Sequence, residues 1–336
     1  MAVTATAPPL PRELQLEVTG ACNLACRMCL VRYRPKLGRR QGAMCFHTFK
    51  AILDELPDLE RLTLQGLGEP LLAPDLFQML EYAAERGIRM GFNTNGTLLT
   101  RERSRRLIEL GVDWLHISLD GATPATYEGI RDGSDFERVQ ANVVGLVETM
   151  RALGANRPDI SLVFVAMRRN VRELPELVRR AAEWGVPRVW VQNLSHSFSD
   201  TDPFGAYRGI REFHRDEALW AARNSEAEQL FAASAALADE LAIDLRLPRL
   251  QAPPSVPRAE GAPGCHWPFE AAYVTHDSKV QPCCMVMGSD RAVLGQAGRG
   301  FAEVWNGKAY REFRAALLTD EPPEVCVGCS LYRRVF

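Results

Sequence analysis

Between residues 13 and 194 the chain alternates short β-branched or apolar runs with longer stretches whose apolar positions recur at helical spacing. The runs LQLEVT (14–19), RLTLQG (61–66), IRMGFN (88–93), WLHISL (114–119), ISLVFVAM (160–167) and RVWVQN (188–193) read as strands. FHTFKAILDELP, APDLFQMLEYAAERG, TRERSRRLIELG, FERVQANVVGLVETMRALG and VRELPELVRRAAEWG read as helices. Four of these end at a glycine, Gly87, Gly111, Gly154 or Gly185, which suits a left-handed C-terminal stop. Strand-then-helix repeats of about 30 residues predict parallel strands joined by right-handed crossovers. The period fits a doubly wound open sheet and an incomplete barrel equally well. In both, ligands sit beyond the carboxyl ends of the strands.

After residue 194 the pattern changes. SFSDTDPFGAYRG reads as a polar loop, DEALWAARNSEAEQLFAASAALADELA as one long helix, IDLRLP as a further strand, and QAPPSVPRAEGAPG as a proline-rich linker. The tail predicts a hairpin in EAAYVTHDSKVQP, with His276, Asp277 and Ser278 at its turn, and a helix over FAEVWNGKAYREFRAALL. The expected organisation is a flexible lead-in over 1–12, a repeat region over 13–194, a connector over 195–264 and a compact tail over 265–336.

Composition narrows the class. Hydrophobic residues make up 46% of the 336, charged residues 24%, and the net charge is −2, which suits a soluble enzyme and gives no basic field for nucleic acid or anionic membrane. The N-terminus has no basic stretch followed by an apolar one, and no apolar run reaches about 18 residues, so the cytoplasm is the expected compartment. Thiols there stay reduced, and clustered cysteines point to metal or catalysis.

Three of the nine cysteines, Cys22, Cys26 and Cys29, fall within eight positions directly after the first strand. Chance gives roughly 0.006 occurrences of that spacing in a chain of this length and cysteine content. Three soft ligands that leave one coordination position free suit an iron–sulfur cluster with an open iron, whereas zinc usually takes two ligand pairs.

The motif C-x3-C-x2-C in this position resembles that of the radical S-adenosylmethionine (radical SAM) family. The resemblance implies a partial (β/α)6 TIM-like barrel in which Cys22, Cys26 and Cys29 hold a 4Fe-4S cluster. S-adenosylmethionine would chelate the fourth iron and be cleaved reductively to a 5'-deoxyadenosyl radical. Gly66-Leu67-Gly68-Glu69-Pro70 resembles the family's glycine-rich loop, in which glycine allows close backbone approach and Glu69 would accept from the methionine ammonium. FNTNG and SLDG, ending the third and fourth strands, are similar to other stretches of that superfamily, and Arg131 resembles its carboxylate-pairing arginine. The resemblance thus places Gly66, Gly68, Glu69, Pro70, Asn95, Ser118, Asp120, Arg131 and Asn193 around the cofactor. No catalytic residue is singled out.

Cys265, the adjacent Cys283 and Cys284, and the pair Cys326 and Cys329 form a second set. Their arrangement resembles the twitch domain, the shortened SPASM domain, which implies one auxiliary 4Fe-4S cluster on Cys265, Cys283, Cys326 and Cys329. Either Cys283 or Cys284 could serve, and spacing favours Cys283. Cys45, at the start of a helix, is expected to pack between helix and sheet. With only about a dozen residues before the first strand, and a twitch-like tail, the expected substrate is a small polar molecule of sugar, aminocyclitol or nucleoside type, oxidised from alcohol to ketone. A redox-neutral dehydration, decarboxylation, deamination or epimerisation, or modification of a peptide, is the alternative. The expected electron donor is a flavodoxin or ferredoxin. A non-catalytic iron–sulfur carrier or sensor would need no pocket of the Glu69, Ser118 and Arg131 kind.

Overall fold

The computed structural model describes residues 7–33, 42–194, 207–219, 225–251, 263–286 and 291–332. Its strands are β1 Glu13–Leu16, β2 Arg61–Thr63, β3 Arg89–Thr94, β4 Trp114–Ser118, β5 Asp159–Ala166, β6 Arg188–Asn193, β7 Asp244–Arg246, β8 Ala271–Val274, β9 Lys279–Gln281 and β10 Gly295–Gln296. Its α-helices are α1 Leu30–Tyr33, α2 Phe46–Asp54, α3 Leu76–Glu85, α4 Arg101–Glu109, α5 Pro124–Ile130, α6 Phe136–Leu153, α7 Leu174–Trp184, α8 Arg208–Glu217, α9 Ser225–Glu240, α10 Trp267–Glu270, α11 Phe301–Trp305, α12 Lys308–Leu317 and α13 Glu324–Val327.

All six expected strands form and pair in parallel in chain order, β1 through β6, with β7 continuing the sheet beyond β6. This is the partial barrel that the resemblance implies. Alternate positions divide each strand between two environments. Leu14, Leu16, Leu62, Phe92, Ile117, Leu162, Phe164 and Val189 are buried in one core against the surrounding helices. Gln65, Asn93, Ser118 and Gln192 line the inner side at the carboxyl ends. Gly154 and Gly185 take left-handed conformations, φ 61° and 74°, as the stops of α6 and α7.

The tail joins the same sheet. β8 pairs in parallel with β1, in the register Gln15 to Tyr273, and β9 and β10 continue antiparallel to give a ten-stranded sheet among the described residues. The expected hairpin is therefore present, and it extends the barrel's first edge. The lead-in is held at its end, since Trp305 donates its indole N–H to the Pro9 carbonyl at 2.9 Å and Leu10 packs against the core.

Three expectations need correction. The long helix over 216–242 is interrupted, because Ala218 is extended after α8 and the Glu217 carbonyl accepts from Arg168 N–H at 3.0 Å, a tertiary contact that ends the helix. The tail helix over 301–318 is two helices. It breaks at Asn306 and Gly307, and the carbonyl of Trp305 accepts from the buried Arg314 at 2.8 Å. Cys45 is exposed, with its thiol 3.2 Å from the Thr48 hydroxyl, a contact that lowers its pKa. Most of the polar loop expected over 197–209, residues 197–206, and most of the linker, 252–262, lie outside the described residues, and the loop's last two residues, Arg208 and Gly209, already belong to α8. Among the described residues no helix is long and apolar enough to cross a membrane.

Candidate active site

The chain leaves β1 into a loop that two neighbouring segments clamp. Ala25 and Arg27 N–H groups donate to the carbonyls of Asp132 and Ile130, each at 2.9 Å, and Glu69 N–H donates to the Ala21 carbonyl at 2.8 Å. The cysteine loop is thereby fixed between the glycine loop after β2 and the turn after α5. A side chain at Gly68 would run into the Thr19 carbonyl, which is why the two loops can lie so close.

These segments enclose a cavity of about 280 Å³ at the carboxyl ends of the strands. Cys22, Cys26, Cys29, Gly66, Gly68, Glu69, Asn95, Ser118, Arg131 and Asn193 all line it. Pro70 and Asp120 do not. Pro70 is buried as the first residue of a single 3-10 turn, and Asp120 sits behind the wall, wholly buried.

Asp120 has a supporting task. One carboxylate oxygen accepts from Val165 N–H at 2.7 Å, and the other takes Arg131 Nε at 2.7 Å and Nη2 at 2.6 Å. Arg131 is thereby oriented with Nη1 3.9 Å from Cys26 Sγ. Burial pushes the Asp120 carboxyl up and the guanidinium draws it down, while Asp120 holds Arg131 firmly protonated.

Glu69, 2% exposed, accepts from Leu71 N–H at 3.2 Å, Thr94 hydroxyl at 2.7 Å and Asn95 N–H at 2.7 Å. Burial raises its carboxyl against the pull of those donors. Asn95 continues the chain of contacts, donating to Asn23 Oδ1 at 2.9 Å and reaching to 4.0 Å from Cys22 Sγ.

The donor chemistry around the three thiols fits an anionic, metal-bound sulfur set. Leu24 N–H lies 3.5 Å from Cys22 Sγ, with the Asn95 amide beside it and the Arg131 cation against Cys26. Without metal, burial pushes the Cys26 thiol up to about 12 and that of Cys22 upward. Metal binding there must release protons. Among the described residues no three His, Cys, Asp or Glu side chains meet the geometry expected around a single metal ion.

In the tail, Cys265, Cys283, Cys284, Cys326 and Cys329 come within electrostatic reach of one another, and burial raises all five thiols. Cys283 senses Cys326 and Cys329, whereas Cys284 senses Cys329 and Cys265, so both neighbours face the set. Arg314 buttresses this region, fully buried, with its guanidinium 4.1 Å from the Trp305 ring centre and 4.3 Å from that of Tyr310.

Sequence reasoning missed several residues on the cavity wall. Gln65, Asn93 and Gln192 were legible in principle, as inward positions alternating with core residues along strands already identified. His214, on α8, had no motif to mark it. It is 5% exposed and burial lowers it to about 4, as burial foremost and three nearby arginines lower His116. Both rings stay neutral in the native state where an unfolded chain would protonate near 6.5, so acidification favours unfolding. Lowering the pH from 7.5 to 5.5 is expected to remove about 1.4 kcal/mol of stability per ring. Urea titrations at the two pH values check this, and His214→Gln should abolish its share.

Comparison with known proteins bears out the resemblance. The Radical SAM superfamily model matches residues 16–181, and the model of an iron-sulfur cluster-binding domain, SPASM, matches residues 265–330. The chain belongs to the radical SAM superfamily. Its cofactors are accordingly a 4Fe-4S cluster with S-adenosylmethionine and auxiliary iron–sulfur in the SPASM segment. This radical SAM chain is 35% identical over 187 residues to the tungsten-containing aldehyde ferredoxin oxidoreductase cofactor-modifying protein of Pyrococcus furiosus, a match covering 54% of this chain and 51% of that one. The matched stretch thus spans about half of that relative's length. The PqqA peptide cyclase of Gluconobacter oxydans is 28% identical over 333 residues, covering 98% of this chain and 85% of its own. Among solved structures, Streptococcus suis SuiB bound to the precursor peptide SuiA superposes with a TM-score of 0.70 at 17% identity, over 96% of this chain and 70% of SuiB. At that identity the likeness concerns the fold.

Proposed function

We propose that this radical SAM chain modifies a peptide, abstracting hydrogen from a C–H bond held in the cavity between the cysteine loop and the inner faces of β2 to β6. The observation that carries the chemistry is the convergence of Cys22, Cys26 and Cys29 with the glycine loop, Glu69, Asn95 and Arg131 on one cavity. The peptide class is supported by the relative that aligns along nearly all of this chain, a peptide cyclase by name. Modification of a peptide, the alternative to a small polar substrate, is the reading that the relatives favour.

When bound, the cluster and S-adenosylmethionine supply a 5'-deoxyadenosyl radical. The protein's own residues bind and orient. Cys22, Cys26 and Cys29 would hold the cluster, and Gly66 and Gly68 let the glycine loop pack directly against Glu17 and the Thr19 carbonyl beneath it. Glu69 and Asn95 order the cavity wall, and Arg131, fixed by Asp120, sets a positive charge beside Cys26. Gln65, Asn93, Ser118 and Gln192 offer neutral donors and acceptors, which suits amide groups of a peptide. Cys265, Cys326, Cys329 and either Cys283 or Cys284 would hold the auxiliary cluster. Four thiolates favour electron transfer there, with a flavodoxin or ferredoxin as the donor to the chain.

Glu69→Ala is expected to weaken S-adenosylmethionine binding roughly tenfold to a hundredfold while leaving iron content intact, as measured by equilibrium dialysis. The peptide reading is tested by incubating the anaerobically reconstituted enzyme with reductant, S-adenosylmethionine and synthetic peptides translated from short reading frames beside its gene. A peptide that stimulates 5'-deoxyadenosine release and changes in mass supports it. Stimulation by cyclitols or sugars, with none by those peptides, would instead establish alcohol oxidation of a small polar substrate.

A further inference from the structure

Glu17 follows β1 at its carboxyl end and is 1% exposed, yet it lies outside the cavity wall. Its carboxylate joins three parts of the chain. One oxygen accepts from Leu67 N–H at 2.9 Å, in the glycine loop, and from the Tyr273 hydroxyl at 3.0 Å, on β8. The other lies 2.6 Å from Nδ1 of His276, at the turn of the hairpin β8–β9. The backbone repeats the connection, since Glu17 N–H donates to the Val274 carbonyl at 2.8 Å.

Two glycines show how closely the parts are fitted. A side chain at Gly66 would overlap Glu17 itself. A methyl at Gly20, two residues before Cys22, would stand 2.7 Å from Cε1 of His276. The imidazole therefore lies directly against the entry to the cysteine loop while its nitrogen engages the carboxylate under the glycine loop. From the same turn the chain runs along β9 to Gln281 and then through Pro282 to Cys283.

We propose that Glu17 and His276 are positioning residues for the cofactor: through them the C-terminal hairpin, which carries Cys283, sets the height of the glycine loop and so the affinity for S-adenosylmethionine. A buried carboxylate depends on the donors around it, and two of those named, the Tyr273 hydroxyl and His276, belong to the tail. Displacing the hairpin takes both away, and a carboxylate that shifts to follow them carries the glycine loop with it through Leu67 N–H. The inference rests on the reading of the cavity as the S-adenosylmethionine site.

The experiment compares His276→Leu, His276→Asn and Glu69→Ala with the unaltered protein, each anaerobically reconstituted. S-adenosylmethionine dissociation constants come from equilibrium dialysis, and its effect on the reduced cluster's electron paramagnetic resonance signal is recorded alongside iron content and Tm. The expected result is a roughly tenfold weaker affinity for His276→Leu with iron content unchanged and only a modest fall in Tm, and recovery of affinity in His276→Asn, whose amide can still donate to Glu17. The KM for S-adenosylmethionine should rise in His276→Leu while kcat is held. If His276→Leu binds as tightly as the unaltered protein while Glu69→Ala binds weakly, the coupling is wrong and the site is right. If both bind normally, the cavity itself is misassigned and the proposal falls with it. Loss of affinity that tracks a large fall in Tm, and is not rescued by asparagine, would mean a merely structural contact and would overturn the proposal.

Discussion

Replacing Cys22, Cys26 and Cys29 together by alanine is expected to abolish formation of 5'-deoxyadenosine while leaving about four irons per chain in place of about eight. The reason is geometric. The three thiols lie on the wall of the one cavity that Glu69, Asn95 and Arg131 share, whereas the five remaining clustered cysteines gather in the tail. The groups that contact Cys22 and Cys26 are N–H donors and a cation, which cannot take over as metal ligands. The fold should survive, because the loop is tied by backbone bonds to Ile130, Asp132 and the glycine loop. Iron analysis and chromatography of the nucleoside products check both parts. Residual 5'-deoxyadenosine from the triple variant would remove the cysteine loop from the chemistry.

Asp120→Ala should produce the largest loss of stability of any single change at the site. Both Asp120 and its partner are buried, so the substitution strands the Arg131 guanidinium and frees Val165 N–H. Breaking a buried pair from one side costs about 3 to 5 kcal/mol, since the remaining charge has no water to replace its partner. For a chain of this size that corresponds to a fall in Tm on the order of 10 °C. Asp120→Asn, which keeps an acceptor for Val165 N–H, should fall between the two. The double replacement Asp120→Leu with Arg131→Met should recover much of the stability, because it removes the stranded charge along with its partner. It should not recover cofactor binding. A calorimetric scan of the four proteins separates these cases, and a Tm for Asp120→Ala within a degree or so of the unaltered protein would show that water reaches the guanidinium after all.

The first prediction could have been written from the sequence, and the second could not. Cys22, Cys26 and Cys29 stand within eight residues of one another, and a metal site made from one loop is a local fact. The role of Asp120 depends on α5 ending at Ile130, so that Arg131 turns back across the end of β4, and on β5 presenting Val165 N–H from the other side. Sequence reasoning put Asp120 among the cofactor contacts because it stands beside Ser118 and Gly121 in a familiar stretch. The fold puts it one layer behind them.

The sequence by itself determined the order and type of the six strand–helix repeats, because alternation and helical spacing each report a local environment that the repeat supplies again and again. It also determined where the site would lie, since loops at the carboxyl ends of parallel strands converge whatever the sheet's final shape. Only the tertiary structure decided the rest. The interruption of the 216–242 helix follows from a carbonyl at Glu217 claimed by Arg168, and the break after Trp305 from a carbonyl claimed by Arg314. The presence of His214 on the cavity wall follows from where α8 packs. Attachment of the tail to β1, and with it the meeting of Glu17, Tyr273 and His276, joins residues more than 250 positions apart. No local pattern encodes such a pairing. It is set by which polar groups find each other once the core has closed around them, and that is a property of the assembled sheet.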